Sequence, residues 1–267
     1  MITKENVYDE LQDVYCMLDA DVYPGLHGYL EHLLGNEERP ELPLYEIAGM
    51  LVGLDMPDPL PGYVIDLITG LYEAEIADGN ANAMNDLGAQ YYDGSRGFEQ
   101  DYSKSVYYYA MAAAKGHRLA QENLGYCYYY GRNMPVDYEK AFHYFALGAF
   151  SGQLVSLYKI GDMYRNGLYV EKNETEAFRI YEECMDRMDD GAEHRVAGPV
   201  FLRLGDMFLN GTGTDRDAKK ALICYQKAEF YLYDMVAGGD KMYRGSLLAA
   251  IDGQTAARRE LEAAIRG

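Results

Sequence analysis

The chain has 267 residues, enough for one medium domain or a short array of smaller units. It carries 43 Asp and Glu against 24 Lys and Arg, a net charge of −19 that argues against phosphate-neutralising nucleic-acid binding. Hydrophobic residues at 49% rule out an acidic disordered chain, and 27 Tyr with no Trp give it an unusual aromatic content.

Residues 1–79 hold 17 acids and two bases, Lys4 and Arg39, whereas residues 80–267 hold 26 acids and 22 bases. The acidity is therefore concentrated in the first third, which sets its surface apart from the rest. MITKENVYDELQDVY has neither the basic start nor the apolar stretch of a signal peptide, so export is not expected. Residues 4–19 predict an amphipathic helix with Val7, Leu11, Val14, Tyr15 and Leu18 on one face. Five of the eight prolines fall between 40 and 61 and mark a loop-rich boundary. Around it, Leu44–Gly53 and residues 63–77 read as the two helices of a degenerate leading hairpin.

A repeat follows. Leu87-Gly88, Leu124-Gly125, Ile160-Gly161 and Leu204-Gly205 align, with an aromatic three residues on (Tyr91, Tyr128, Tyr164, Phe208) and a glycine six residues on (Gly94, Gly131, Gly167, Gly211). A second block reads Asp101…Lys104-Ser105, Asp137…Lys140-Ala141, Asn173…Glu176-Ala177 and Asp217…Lys220-Ala221, with Tyr109, Phe145, Tyr181 and Tyr225 four residues further. The leucine and the aromatic share one helical face, and the glycine between them admits a neighbouring helix. The second glycine suits a left-handed helix end, and the Asp or Asn suits an N-cap three residues before Lys or Glu. Each unit is thus a helical hairpin that buries its apolar face only by stacking on neighbours. Marker spacings are 37, 36 and 44, and a second helix running on through Met188 before a loop at Gly191 is the expected source of the long one. Residues 246–251 and 256–265 predict two closing helices.

The segments ANAMNDLGAQYYDG…DYSKSVYYYAMAAAKGH, RLAQENLGYCYYYG…DYEKAFHYFALGAFSG, SLYKIGDMYRNG…NETEAFRIYEEC and FLRLGDMFLNGTGTDRDAKKALICYQKAE resemble the Sel1-like repeat, a relative of the tetratricopeptide repeat. The resemblance covers about residues 80–232 and implies an all-α, right-handed α-solenoid of about four to five hairpins with helical caps at both ends. The expected parts are an acidic helical segment at 1–60, a repeat array at 61–240 and capping helices at 241–267. Within the array lie a partial copy at 61–79 and copies near 80–116, 117–152, 153–190 and 197–235.

Little points to chemistry. Cys16, Cys127, Cys184 and Cys224 lack CxxC spacing and read as unpaired thiols of a reducing compartment, the cytoplasm. No apolar run reaches the roughly 18–20 residues of a membrane span. His27, His32, His117, His143 and His194 show no zinc spacing. His27 and His32, five apart near acids, compete as a weak metal site with plain surface roles, and His117 stands where the resemblance implies structural use. Nucleophile elbows, P-loops and dinucleotide fingerprints are absent, and the acid pairs Glu182-Glu183 and Asp189-Asp190 read as solvated helix exterior. No cofactor, metal or catalytic residue is expected.

The useful surface is instead the groove. In the related tetratricopeptide architecture the first helix of each unit lines the concave side, which implies Tyr92, Glu122, Tyr126, Tyr129, Tyr130, Tyr158, Asp162 and Arg165 as partner-contacting residues. Several of these tyrosines exceed what the core pattern needs, and tyrosine supplies rigid contact area that still hydrogen-bonds. Packing under neighbouring helices is the competing use for them. The resemblance implies a non-enzymatic adaptor or scaffold holding a peptide or protein segment, while net charge and the lack of a long apolar run argue against nucleic acid and membrane as partners. The acidic N-terminal third suggests as an alternative an inhibitor or immunity-type protein that neutralises a basic partner. An enzyme or a small-ligand receptor ranks last, for want of a placed acid pair.

Overall fold

The structure, a computed structural model, describes residues 2–35, 43–54, 58–188 and 194–266. Among these the chain is all-helical, with thirteen α-helices, one 3₁₀ turn and no strand. It divides into two compact units, Met1–Val136 and Asp137–Gly267, so the boundary falls between the two helices of the second repeat.

The first unit begins with α1 (Val7–Met17), whose Val7, Leu11 and Val14 are buried as their spacing predicts. Helix α2 (Pro24–Gly35) follows, then α3 (Leu44–Gly53) and α4 (Gly62–Ala77), which form the leading hairpin expected there. The buried carboxylate of Glu75 ties that hairpin together: it accepts from the Leu44 amide at 2.8 Å and from Asn80 Nδ2 at 2.9 Å. The first repeat is α5 (Ala81–Asp93) with α6 (Tyr102–Ala114), and α7 (Arg118–Tyr130) opens the second. Val7, Leu26, Leu51 and Leu71 share one core with Leu87 and Phe98 of the first repeat. The acidic segment is therefore packed into the repeat structure rather than appended to it.

The second unit comprises α8 (Tyr138–Phe150), α9 (Leu154–Asn166), α10 (Glu174–Arg187), α11 (His194–Asn210), α12 (Ala218–Ala237) and α13 (Arg244–Arg266). Side chains of Asp101, Asp137, Asn173 and Asp217 accept from backbone amides at the starts of their helices, so these N-caps fall where the sequence puts them, and Asn80 caps α5 in the same way. Gly94, Gly131 and Gly167 end α5, α7 and α9 in the left-handed conformation, at φ 61°, 67° and 68°.

Two expectations change. Helix α10 ends at Arg187 with Met188 as its cap, 26 residues after Gly161, just as α6 ends 26 after Gly88. The 44-residue spacing arises instead in the connection to α11 and in α11 itself, which has 17 residues against 13 in α5, α7 and α9. The expected loop at Gly191 lies outside the described residues. At the C-terminus the two closing helices are one, α13, of 23 residues. Gly253 does not break it, because this glycine serves helix approach: a Cβ there would lie 2.7 Å from Tyr225 Cδ1 and closer still to Cε1 and Cζ. Among the described residues no helix is long and apolar enough to cross a membrane.

Candidate functional site

The tyrosines at the C-terminal ends of α5 and α7 are positioned by the helix ends themselves. Gly131 turns the chain back at the end of α7, and the Arg132 amide donates to the Cys127 carbonyl at 2.8 Å. This closed turn carries the Arg132 side chain back over the aromatics. Its guanidinium carbon lies 4.9 Å from the ring centre of Tyr102, 5.6 Å from that of Tyr130 and 5.8 Å from that of Tyr92. Its Nε donates to the Tyr92 hydroxyl at 3.3 Å. Tyr126 stacks on Tyr130 at 6.1 Å with 6° between the rings, and Tyr129 meets Tyr130 edge-on at 5.0 Å. Tyr92 in turn meets Tyr102 edge-on at 5.3 Å. Five tyrosines and one arginine from α5, α6, α7 and the turn after α7 thus form one surface cluster, with Tyr130 48% exposed at its centre. Burial raises the Tyr92 phenol above its ordinary range, with the Arg132 hydrogen bond pulling the other way.

Of the residues expected to face a partner, Tyr92, Tyr126, Tyr129 and Tyr130 are brought together here. Glu122, on α7, is buried and is not a surface acid. Tyr102 and Arg132 were missed. Tyr102 follows a helix cap and Arg132 follows a helix-ending glycine, positions that a pattern centred on the first helix passes over.

Tyr158, Asp162 and Arg165 belong to the second unit and have structural partners there. Tyr158 and Asp162 are buried, against the expectation that they face a groove. Asp162 accepts from the Tyr181 hydroxyl at 2.7 Å and from Arg203, through Nε and through Nη2 at 2.7 Å. Lys159 Nζ lies 3.6 Å away, and Arg203 and Lys159 each stand 5.2 Å from the Tyr158 ring centre. Burial alone would raise the Asp162 carboxyl, but the Arg203 guanidinium and Lys159 ammonium hold it below its ordinary value. Arg165 pairs with Asp206 at 3.2 Å, and Asp206 accepts from Tyr225 at 2.9 Å. In the third and fourth repeats, then, the residue after the marker glycine is an Asp that receives a hydrogen bond from the tyrosine of the second helix. The helical wheel gives that position its direction but not the Arg203 that covers it.

The four copies that build these arrangements match the sequence profile of the Sel1 repeat at residues 81–117, 118–149, 154–183 and 202–229. The chain is a Sel1 repeat protein. Its fold is similar to the crystal structure of a Sel1 repeat protein from Oxalobacter formigenes, with a TM-score of 0.63 at 20% identity over 92% of this chain and 96% of that one. It is also similar to c5321, described as a protective antigen present in uropathogenic Escherichia coli strains displaying an SLR fold. There the TM-score is 0.57 at 20% identity, over 95% of this chain and 56% of that one. No curated protein matches the sequence.

Within the Sel1 repeat protein His117 and His27 have structural settings. His117 caps α7: the Ala120 amide donates to Nδ1 at 3.2 Å, and Nε2 lies 3.1 Å from Asn82 Oδ1. Burial lowers its imidazole, which keeps Nδ1 free to accept. His27 packs on Tyr15 with ring centres 4.5 Å apart. No group of three or more His, Cys, Asp or Glu among the described residues is placed to hold a metal ion. Cys16 is exposed while Cys127, Cys184 and Cys224 are buried thiols, and burial pushes Cys127 up to about 12 and Cys224 up to about 11, far from reactive thiolates.

Proposed function

We propose that this Sel1 repeat protein is a non-catalytic scaffold that binds a peptide or protein segment on the tyrosine surface of α5 and α7. The observation that carries it is the stacked pair of partly buried Tyr126 and 48% exposed Tyr130, with Tyr92, Tyr102 and Tyr129 beside it. Such side chains lose little entropy on binding and combine a large apolar face with a hydroxyl, the properties of binding hot spots. Sel1 repeats generally mediate protein binding, which agrees with this assignment. Four cysteines without CxxC spacing favour a reducing compartment, and we place the protein in the cytoplasm on that ground.

Selection of a displayed random peptide library against the protein tests the proposal. Selected peptides should lose about tenfold or more in affinity for the Tyr126→Ala/Tyr130→Ala variant, as removal of two hot-spot aromatics predicts. The melting temperature should change little. Undiminished binding overturns the assignment, and so does unfolding of the variant, because the tyrosines would then be core.

The acidity of residues 1–79, a net −15, favours the further reading of an inhibitor that captures a basic partner through the N-terminal third. Under that reading affinity falls steeply with salt, and Tyr126→Ala/Tyr130→Ala leaves it unchanged.

A further inference from the structure

Arg132 is an unusual residue in its setting. The first unit carries 22 acids and seven bases, yet this guanidinium meets no carboxylate among the described residues. Its neighbours are the faces of Tyr92, Tyr102 and Tyr130 and one phenol oxygen. Three π faces with negative quadrupoles and an accepting hydroxyl make an environment that holds a planar cation without neutralising it. The cluster therefore already carries an internal cation on its rings.

We infer that the tyrosine surface of the first unit takes a cationic, arginine-bearing peptide segment, and that Arg132 occupies the guanidinium position when no such segment is bound. This deepens the scaffold assignment and rests on it. Two independent observations select a cationic occupant over a neutral or acidic one. The rings already accept a guanidinium at 4.9 to 5.8 Å, which shows that the geometry suits that group. The unit around them has a net charge of −15, which draws basic segments in and repels acidic ones. Arginine is favoured over lysine because a planar, weakly hydrated guanidinium stacks on aromatic faces, whereas an ammonium is a strongly hydrated point charge. Arg132 sits on the turn after the helix, so its side chain can leave the rings while the backbone of α7 stays in place.

The test uses the full chain and fluorescent nonapeptides of repeating Gly-Ser-Arg, Gly-Ser-Lys, Gly-Ser-Gln and Gly-Ser-Glu. Titrations run in about 0.3 M NaCl, which screens diffuse attraction to the acidic surface. Affinity should fall in the order Arg, Lys, Gln, Glu. Arg132→Ala, and Arg132→Gln as a longer replacement, should tighten the arginine peptide by about threefold, since an internal competitor is removed from a cation–π site. Tyr130→Ala should weaken it by about threefold or more. Equal binding of the arginine and lysine peptides overturns the inference, as does weaker binding to both Arg132 variants or indifference to Tyr130→Ala. If that happens while library-selected peptides still depend on Tyr126 and Tyr130, the scaffold assignment stands and only the cationic class falls. If selected peptides ignore those tyrosines, the scaffold assignment itself fails.

Discussion

Asp162 takes one hydrogen bond from a tyrosine of its own repeat and two from an arginine of the next, with a lysine within ion-pair distance. A buried carboxylate so enclosed contributes little over an apolar replacement of the whole group. Removing one partner is costly, though, because a desolvated charge is left behind. Arg203→Ala should therefore destabilise the protein by about 3 kcal/mol, toward the low end for a broken buried pair because Lys159 remains. Urea denaturation at neutral pH measures it, and a loss below about 1 kcal/mol would mark the pair as surface-like. The pH dependence has a definite sign. The folded carboxyl is held below its ordinary value, so its contribution is complete above about pH 4 and is lost as pH falls toward the lowered value. At this scale the marker glycines and second-helix aromatics were legible, because their spacing alone sets which face they share. Asp162 and Tyr158 were not, because whether a wheel position faces solvent depends on the long side chain opposite, here Arg203.

Helices α5 to α10 could be read from local signals, an Asp or Asn cap at the starts of α5, α6, α8 and α10 and a left-handed glycine at the ends of α5, α7 and α9. Helices at the two ends were harder. Helix α2 buries Leu26, Leu30 and Leu33, a helical spacing masked by Pro24, Gly25 and Gly28, although proline is well suited to a first helical position. In α13 the segments 246–251 and 256–265 read as two helices, and Gly253 between them marks close contact with α12. That difference has an energetic signature. In a free helix interior Gly→Ala gains about 1 kcal/mol, whereas forcing a methyl into packed atoms costs about 1–3 kcal/mol. Gly253→Ala should therefore destabilise, since its Cβ would meet the ring of Tyr225, which Gly205 also approaches closely. Gly28→Ala in α2, with nothing within 4 Å of the added methyl, should stabilise slightly. Thermal melts of the two variants compare them directly, and stabilisation by both would mean that α12 and α13 are not in close register.

For the molecule as a whole, the charge asymmetry follows the two units: a net −15 lies in the first and −4 in the second. The acidic segment reads as a helical cap of the array, and its apolar residues enter the same core as the first repeat, which no charge count reveals. The acidity is thus a property of the unit that also bears the Tyr92, Tyr126 and Tyr130 surface. The second unit spends its comparable polar residues on internal pairs, Asp162 with Arg203 and Asp206 with Arg165. A Sel1 repeat protein with four similar copies can in this way devote some to cohesion, apart from the helix ends proposed for recognition. The most direct test is hydrogen exchange of the full chain with and without a library-selected peptide. Protection should rise at the ends of α5 and α7 and in the turn through Arg132. Protection confined to residues 137–267, with those segments unchanged, would contradict it.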